Sequence, residues 1–134
     1  MTIEENKALV EEFPFLLPRN RFTGEVVKDY DYSHTELDAM PDGWRKAFGI
    51  QLCKELKEAL GENLHNYRIM DIKEKYGDLC WYDCGGNEKT FKILDKYQTK
   101  SAEACIICGQ PGKLDFDGWI LPLCEKHYKE RHNL

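Results

Sequence analysis

The clearest periodicity in the chain runs from Asp42 to Leu60. Trp44, Ala47, Phe48, Leu52, Leu56, Ala59 and Leu60 recur at three- and four-residue steps, with Lys46, Lys54, Glu55, Lys57 and Glu58 mostly on the other faces. That stripe predicts an amphipathic helix packed on a core, and Gly61 predicts its end. A second amphipathic helix is predicted from about Glu88 to Ser101, with Phe91, Leu94 and Tyr97 or Gln98 along one side. Between the two helices the pattern changes. Residues 66–76 and 79–84 read as a hairpin, with Tyr67, Ile69 and Ile72 on one strand, Leu79 to Cys84 on the other and Gly77-Asp78 as the turn.

Ahead of the long helix the pattern is weaker. Residues 1–12 predict a short amphipathic helix with Ile3, Leu9 and Val10 available to dock. Phe13 to Pro18 contains two prolines and predicts an extended arm that buries Phe13, Phe15 and Leu16 or Leu17. Residues 19–34 form an irregular stretch of aromatics, charges and turn formers, and loops of that length mark functional or mobile segments. Ser33 followed by Glu36 has capping-box spacing for a short helix through Met40, which Pro41-Asp42-Gly43 breaks. The prediction is an α+β fold: amphipathic helices packed on a β-hairpin over residues 1–100, then a small metal-binding module over residues 101–134.

That module carries the most specific motif. Cys105, Cys108, Cys124 and His127 read as C-x2-C, a fifteen-residue gap and C-x2-H. Each pair fits one tight turn, the gap fits two short strands, and the two pairs supply the four ligands of a tetrahedral Zn²⁺ site. Gly109 suits a knuckle turn that needs positive φ. Glu125 to Arg131 is built of helix formers, which puts Cys124 and His127 one turn apart at a helix start. Four protein ligands leave no open position for a substrate water, so the expected role of zinc is structural. His132 is the alternative fourth ligand. Knuckle, hairpin and helix together resemble a treble-clef finger, with a plain zinc ribbon as the other reading. Histidine-using nucleases on that scaffold fit poorly, because no spare histidine lies near Asp117-Gly118-Trp119 in sequence.

Charge and composition narrow the partners. Among 134 residues, 42% are hydrophobic, 32% are charged, and the formal net charge is −5, a balance typical of a globular domain with a core. Residues 1–100 carry 15 basic and 19 acidic side chains, and residues 101–134 carry 4 and 5. Neither part has the electrostatic footprint of a duplex-DNA or anionic-membrane binder. The N-terminus lacks a signal-peptide pattern, and no apolar run is long enough to span a bilayer. Six cysteines without export predict thiols in a reducing compartment, where pairs favour metal over disulfides.

Other residues with candidate chemistry are scattered. Arg19, Asn20 and Arg21 could clamp a phosphate or carboxylate, and Trp81 and Tyr82, opposite Lys73, could stack on a base. Trp81 has a competing reading as core, and the arginines as partners of nearby carboxylates. Asp29, Asp31, His34, Glu36 and Asp38 form an acidic cluster that reads most simply as turn and cap residues. Cys80 and Cys84 lie about 13 Å apart on an extended strand, too far for one metal. Cys53 reads as a small buried apolar residue. No phosphate-binding Gly-rich loop, serine-nucleophile elbow or His-Glu metalloprotease motif occurs.

Several segments taken together, Pro14-Phe-Leu-Leu-Pro-Arg-Asn-Arg-Phe-Thr-Gly24, Asp29-Tyr-Asp-Tyr-Ser33, Glu36-Leu-Asp-Ala-Met-Pro-Asp-Gly-Trp44, Ile72-Lys-Glu-Lys-Tyr-Gly77 and the C-terminal finger, resemble a group of small bacteriophage proteins along nearly the whole chain. In that group the strand after the turn usually reads Leu-Arg-aromatic-Tyr. Here it is Leu79-Cys80-Trp81-Tyr82, so no arginine role carries over. The resemblance implies a phage gene expressed in the bacterial host cytoplasm and transfers no catalytic residue. The resulting expectation is a non-enzymatic accessory protein that binds a host protein or a small anionic ligand, with counter-defence by sequestering a signalling nucleotide as one form of it. The alternative is a nucleic-acid-binding or nucleic-acid-processing zinc-finger protein. A metal-dependent enzyme built on the aspartates of residues 29–38 is a third reading, and exposed aromatics in residues 13–32 make a homo-oligomer plausible.

Overall fold

Five buried side chains, Trp44, Phe48, Leu52, Leu56 and Leu60, follow one another at four-residue steps in the computed structural model, which describes residues 1–134. On an α-helix each such step overshoots a full turn by about 40°, so a strict four-residue stripe would wind away from the core. The structure takes part of that drift back. Helix α2 (Asp42–Trp44) passes into a π-helical stretch, Arg45–Gly49, and then into α3 (Ile50–Leu60) without a break. The wider π turn keeps Trp44 and Phe48 on the face that Leu52, Leu56 and Leu60 continue. Gly61, in a positive-φ conformation (φ 52°), ends the helix.

Strands β1 (Arg68–Lys75) and β2 (Asp78–Cys84) pair antiparallel, Ile72 opposite Trp81 and Glu74 opposite Leu79, with a bulge between Ile69 and Asp71. The turn is Tyr76-Gly77, one residue earlier than the Gly77-Asp78 expected, with φ 53° and 82°. Positive φ at both central residues is the signature of a type I′ two-residue hairpin loop. Ile72, Leu79 and Trp81 face the core beside Tyr67. The Trp81 indole donates to the Tyr67 hydroxyl (2.9 Å), which donates to Asp83 Oδ2 (2.7 Å), so the polar atoms of two buried aromatics are satisfied.

Helix α4 (Glu88–Ser101) covers this hairpin through Leu94 and Tyr97, as expected, but Phe91 departs from the expected stripe. Thr90, Tyr97 and Ser101 are buried, whereas Phe91 is 72% exposed. The capping box explains the shift. Thr90 must lie beside Asn87, where it exchanges hydrogen bonds of 2.7 and 2.9 Å, and that contact turns Phe91 outward. At the far end, the Ser101 hydroxyl accepts from Leu79 N (2.9 Å).

The N-terminal segment departs further from expectation. Helix α1 (Ile3–Glu12), capped by Thr2 and Glu5, docks through Leu9 and buried Asn6, whose side-chain amide donates to Tyr32 O, and leaves Ile3 exposed. Phe13, Phe15 and Leu16 are buried, yet Pro14–Leu16 forms a 3₁₀ turn rather than an extended arm. Proline fits there because the first N–H of a helix has no internal partner. The next short helix, Glu36–Ala39, is capped by Thr35 with Asp38, and not by Ser33 with Glu36.

The C-terminal segment, with strands β3 (Lys113–Asp115) and β4 (Leu121–Leu123) and helix α5 (Glu125–His132), is joined to this core at two places. One is the start of α2. Gly43 N donates to Ile106 O (2.9 Å), and the Trp44 indole donates to Ala104 O (3.1 Å). A Cβ on Gly43 would stand 2.1 Å from the carbonyl oxygen of Cys105. The other is the β1–β2 turn, where a Cβ on Gly77 would meet Leu114 at 2.8 Å.

The Gly43 contact gives a direct expectation. Gly43→Ala should destabilise the metal-loaded protein by at least the roughly 1–3 kcal/mol of an overpacked core, measured by denaturant unfolding against the exposed substitution Lys46→Ala. Equal stability of the two variants would contradict the packing described.

Candidate metal centre

The four predicted ligands come from two turns that the backbone fixes independently. The first is a knuckle closed by Gly109 N donating to Cys105 O (2.8 Å), with Gly109 at φ 83°. Cys105 N donates to Gln110 O, and Ile106 N donates to Pro122 O, which ties the knuckle to β4. The second is the start of α5. Cys124 is its N-cap residue, in extended conformation, and His127 follows three positions later on the same face.

One ligand atom from each of Cys105, Cys108, Cys124 and His127 lies within 4.8 Å of all the others. Cys108 Sγ is 3.7 Å from Cys124 Sγ, and His127 Nδ1 is 3.5 Å from Cys105 Sγ and 3.1 Å from Cys124 Sγ. The imidazole therefore turns Nδ1 to the sulfurs and Nε2 toward Glu130, 3.9 Å away and beyond hydrogen-bond reach. Cys105 is buried and the other three are half-buried.

The electrostatics of the cluster call for a cation. Burial opposes ionisation of Cys105, but N–H groups of Cys124, Cys108 and Ile107 and the Cys108 side chain outweigh it and hold the thiol at about 6. Cys108 shifts the other way. The Gln110 N–H favours its thiolate, yet burial and the neighbouring Cys105 and Cys124 sulfurs push its thiol up. Close thiolates repel one another, and a metal ion bound among them would offset that repulsion. The group could hold one metal ion with all four corners filled by protein.

His132 is not part of this set. Its Nε2 lies 2.7 Å from Asp115 Oδ2 and its Nδ1 lies 3.5 Å from Asp117 Oδ2. Arg131 donates to the same Asp115 oxygen (3.0 Å) and to Trp119 O (2.7 Å). Sequence distance concealed this, because the fold does bring a histidine to the Asp117-Gly118 turn. Burial opposes ionisation of Asp115, but His132, the Asp117 N–H and Arg131 outweigh it and hold its carboxyl below the usual range. The cluster clamps the end of α5 to the β3–β4 hairpin, as the four ligands clamp its start.

The remaining candidates do not assemble into one site. Arg19 donates to Gly24 O (2.8 Å), and Asn20 Oδ1 accepts from Phe22 N and Thr23 N, so both shape their own loop. Arg21 pairs with Asp71 (3.4 Å), which also pairs with Lys73 (3.6 Å), and Lys73 lies over the Tyr82 ring. Trp81 is buried with Ile72 while its neighbour Tyr82 is exposed, so the two aromatics face opposite sides of the hairpin. In the 29–38 segment, Asp31 Oδ1 accepts from Ser33 N, while Asp38 caps Thr35 and pairs with Arg45 (2.9 Å). Sequence reasoning missed His65 and Arg68, which flank the 19–24 loop, and the Tyr76 and Trp119 pair described below. His65 and Arg68 stand in no motif, and Tyr76 and Trp119, each beside a turn dipeptide, carry no local sign of their pairing.

Comparison of the chain with protein-family models, with characterised proteins and with solved structures gave no match. No helix is long and apolar enough to cross a membrane.

Two indole N–H groups report on metal removal. Chelation should shift the Trp44 indole resonance and expose it to exchange, because its acceptor is Ala104 O at the base of the knuckle. The Trp81 indole, bonded to Tyr67, should change far less. Loss of both together would mean that the whole fold depends on the metal, and loss of neither that the knuckle stands without it.

Proposed function

We propose that the chain is a non-enzymatic binding protein in which a structural zinc ion, held by Cys105, Cys108, Cys124 and His127 in a treble-clef-like finger, fixes an aromatic surface for a protein partner. The zinc assignment is supported by edge lengths. Zn–S bonds of about 2.3 Å at tetrahedral angles separate two sulfurs by about 3.8 Å, close to the 3.7 Å between Cys108 and Cys124. Three thiolates and one imidazole are a soft donor set that suits zinc in a closed site. Four protein ligands leave the metal no position for substrate.

The observation that carries the binding reading is a stack across the two hairpins. Tyr76 and Trp119 lie with ring centres 6.5 Å apart and planes 13° from parallel, although they are 67% and 62% exposed. The Trp119 indole donates to Glu74 Oε1 (2.9 Å), and Phe116, 69% exposed, stands on the same β3–β4 turn. Aromatic rings held in place before binding lose little freedom when covered, and Trp and Tyr are the residues that dominate protein interfaces. Glu74, Asp117 and Arg131 give this surface a rim of mixed charge, which fits a protein better than a polyanion. The resemblance to small bacteriophage proteins makes a host protein the expected partner.

A second reading has its own support. A groove of about 830 Å³ beside β3 and α5 is lined by Lys113, Phe116 and Tyr128, together with Asp115 and a Lys129–Glu125 pair (3.1 Å), so its aromatic rings rather than a net positive charge support stacking on single-stranded nucleic acid.

Pull-down from bacterial lysate with wild-type protein and with Tyr76→Ala and Trp119→Ala separates the readings. A partner retained by the wild type should be lost or weakened about thirtyfold by Trp119→Ala, the effect of a hot-spot residue. Capture that is indifferent to both substitutions would refute the aromatic surface. Binding of a single-stranded oligonucleotide that falls steeply with salt would favour the nucleic-acid reading instead. Metal analysis should return one zinc per chain.

A further inference from the structure

Acidic side chains outnumber basic ones 24 to 19, and three of the five arginines end on carboxylates. Arg21 pairs with Asp71, Arg45 with Asp38 and Asp42, and Arg131 with Asp115. Arg19 and Arg68 do not. Arg19 Nη1 donates to Gly24 O (2.8 Å), and Arg68 Nη2 donates to Asn20 O (3.1 Å), so one short loop holds both guanidinium groups through main-chain oxygens. Each group keeps most of its five N–H donors free of a charged partner.

Both line one cavity of about 190 Å³, together with His65, Pro14, Gly24, Leu64 and Tyr67, and no carboxylate lines it. Glu36 shares the smaller adjoining cleft with both arginines and accepts from the Arg19 main-chain N–H, but it forms no ion pair with either guanidinium. Gly24, at φ 76°, lies against the Arg68 guanidinium, and a Cβ there would meet Nη1 at 3.0 Å. The loop thus uses a glycine to approach the arginine closely and fixes its fork toward the cavity.

We propose that Arg19, Arg68 and His65 form an anion site that takes the phosphate group of a small ligand. A lone carboxylate is satisfied by one guanidinium fork. Two forks and an imidazole suit a tetrahedral dianion, whose oxygens point several ways. The volume is below the roughly 300 Å³ at which pockets enclose a whole drug-sized ligand. The site therefore receives the phosphate and leaves the rest of the molecule outside. Arg21, an expected member of such a clamp, is excluded by its pairing with Asp71. The site is independent of the aromatic surface and of the metal.

Calorimetric titration of the metal-loaded full chain with inorganic phosphate, adenosine 5′-monophosphate and adenosine tests this. Both phosphates should bind and adenosine should not. Arg19→Gln and Arg68→Lys should each weaken phosphate about tenfold or more, the loss of one charge-assisted contact, while Arg21→Gln should leave affinity unchanged. His65→Gln, outside the loop-holding contacts, gives a reading that does not rely on loop integrity and should also weaken binding. Tighter binding of the nucleotide than of phosphate would identify an esterified ligand, and equal binding a site for the free ion. Absence of heat with millimolar phosphate, or affinity indifferent to Arg19→Gln and His65→Gln, would overturn the assignment. Tyr76→Ala and Trp119→Ala should keep phosphate binding, which separates this outcome from that of the protein-binding surface.

Discussion

The structure depends on the contact between the first turn of the core helix and the knuckle that carries two metal ligands. Gly43 has no room for a methyl group, because the carbonyl of Cys105 and the peptide of Ile106 occupy the place where a Cβ would be. Backbone meets backbone there, and the fit is two-sided. A Cβ on Gly109, at the close of the knuckle, would in turn stand 2.6 Å from Gly43 O. The Ile106 carbonyl accepts one of the helix-start N–H groups that have no partner inside the helix. The knuckle therefore serves as the cap of the core helix, and the helix start serves as the floor of the knuckle. The candidate metal ligands and the core packing meet in one junction, with Trp44 reaching from the core to Ala104 O alongside it.

A second junction lies at the other end of the C-terminal segment. The left-handed turn at Tyr76-Gly77 admits Leu114 and Ile120 against Gly77, and Glu74 receives both Gly77 N and the Trp119 indole. Helix α5 is likewise fixed at both ends, by Cys124 and His127 at its start and by Arg131 and His132 on Asp115 at its finish. Its own sequence offers no buried residue. An eight-residue helix without an apolar face is far too short to persist on propensity alone, so these two sets of polar contacts hold it.

How far the sequence discloses this follows the range of each interaction. The stripe from Trp44 to Leu60 and the Cys105–His127 spacing are local periodic signals, and both elements form where they were expected. The π-helical stretch within that helix has no local signature; the strict four-residue step of its apolar residues is the nearest trace. Caps were assigned one alternative away. Ser33 and Thr35 both precede acidic residues at suitable distances, and which one caps depends on Asp38 also reaching Arg45. Gly43 reads as a breaker in Pro41-Asp42-Gly43, although its function is to admit a backbone more than sixty residues away. The stacking of Tyr76 on Trp119 and the pairing of His132 with Asp115 are equally long-range, and no spacing rule reaches them.

The C-terminal segment has a small core for its length. The apolar residues that segment 101–134 buries are Ala104, Cys105, Pro122 and Leu123, while Ile107, Phe116, Trp119 and Tyr128 stay exposed. A segment this short cannot form a sufficient core from so few buried side chains. A domain selected for stability alone would turn its largest apolar residues inward. Here the order comes from the metal ligands, the Asp115 clamp and the two junctions with the core, so those rings are not needed for packing. Stabilisation by backbone contact and the Asp115 clamp, to which coordination would add, releases the aromatic residues to the surface. That division of labour is what makes the exposed Tyr76 and Trp119 stack compatible with a rigid fold.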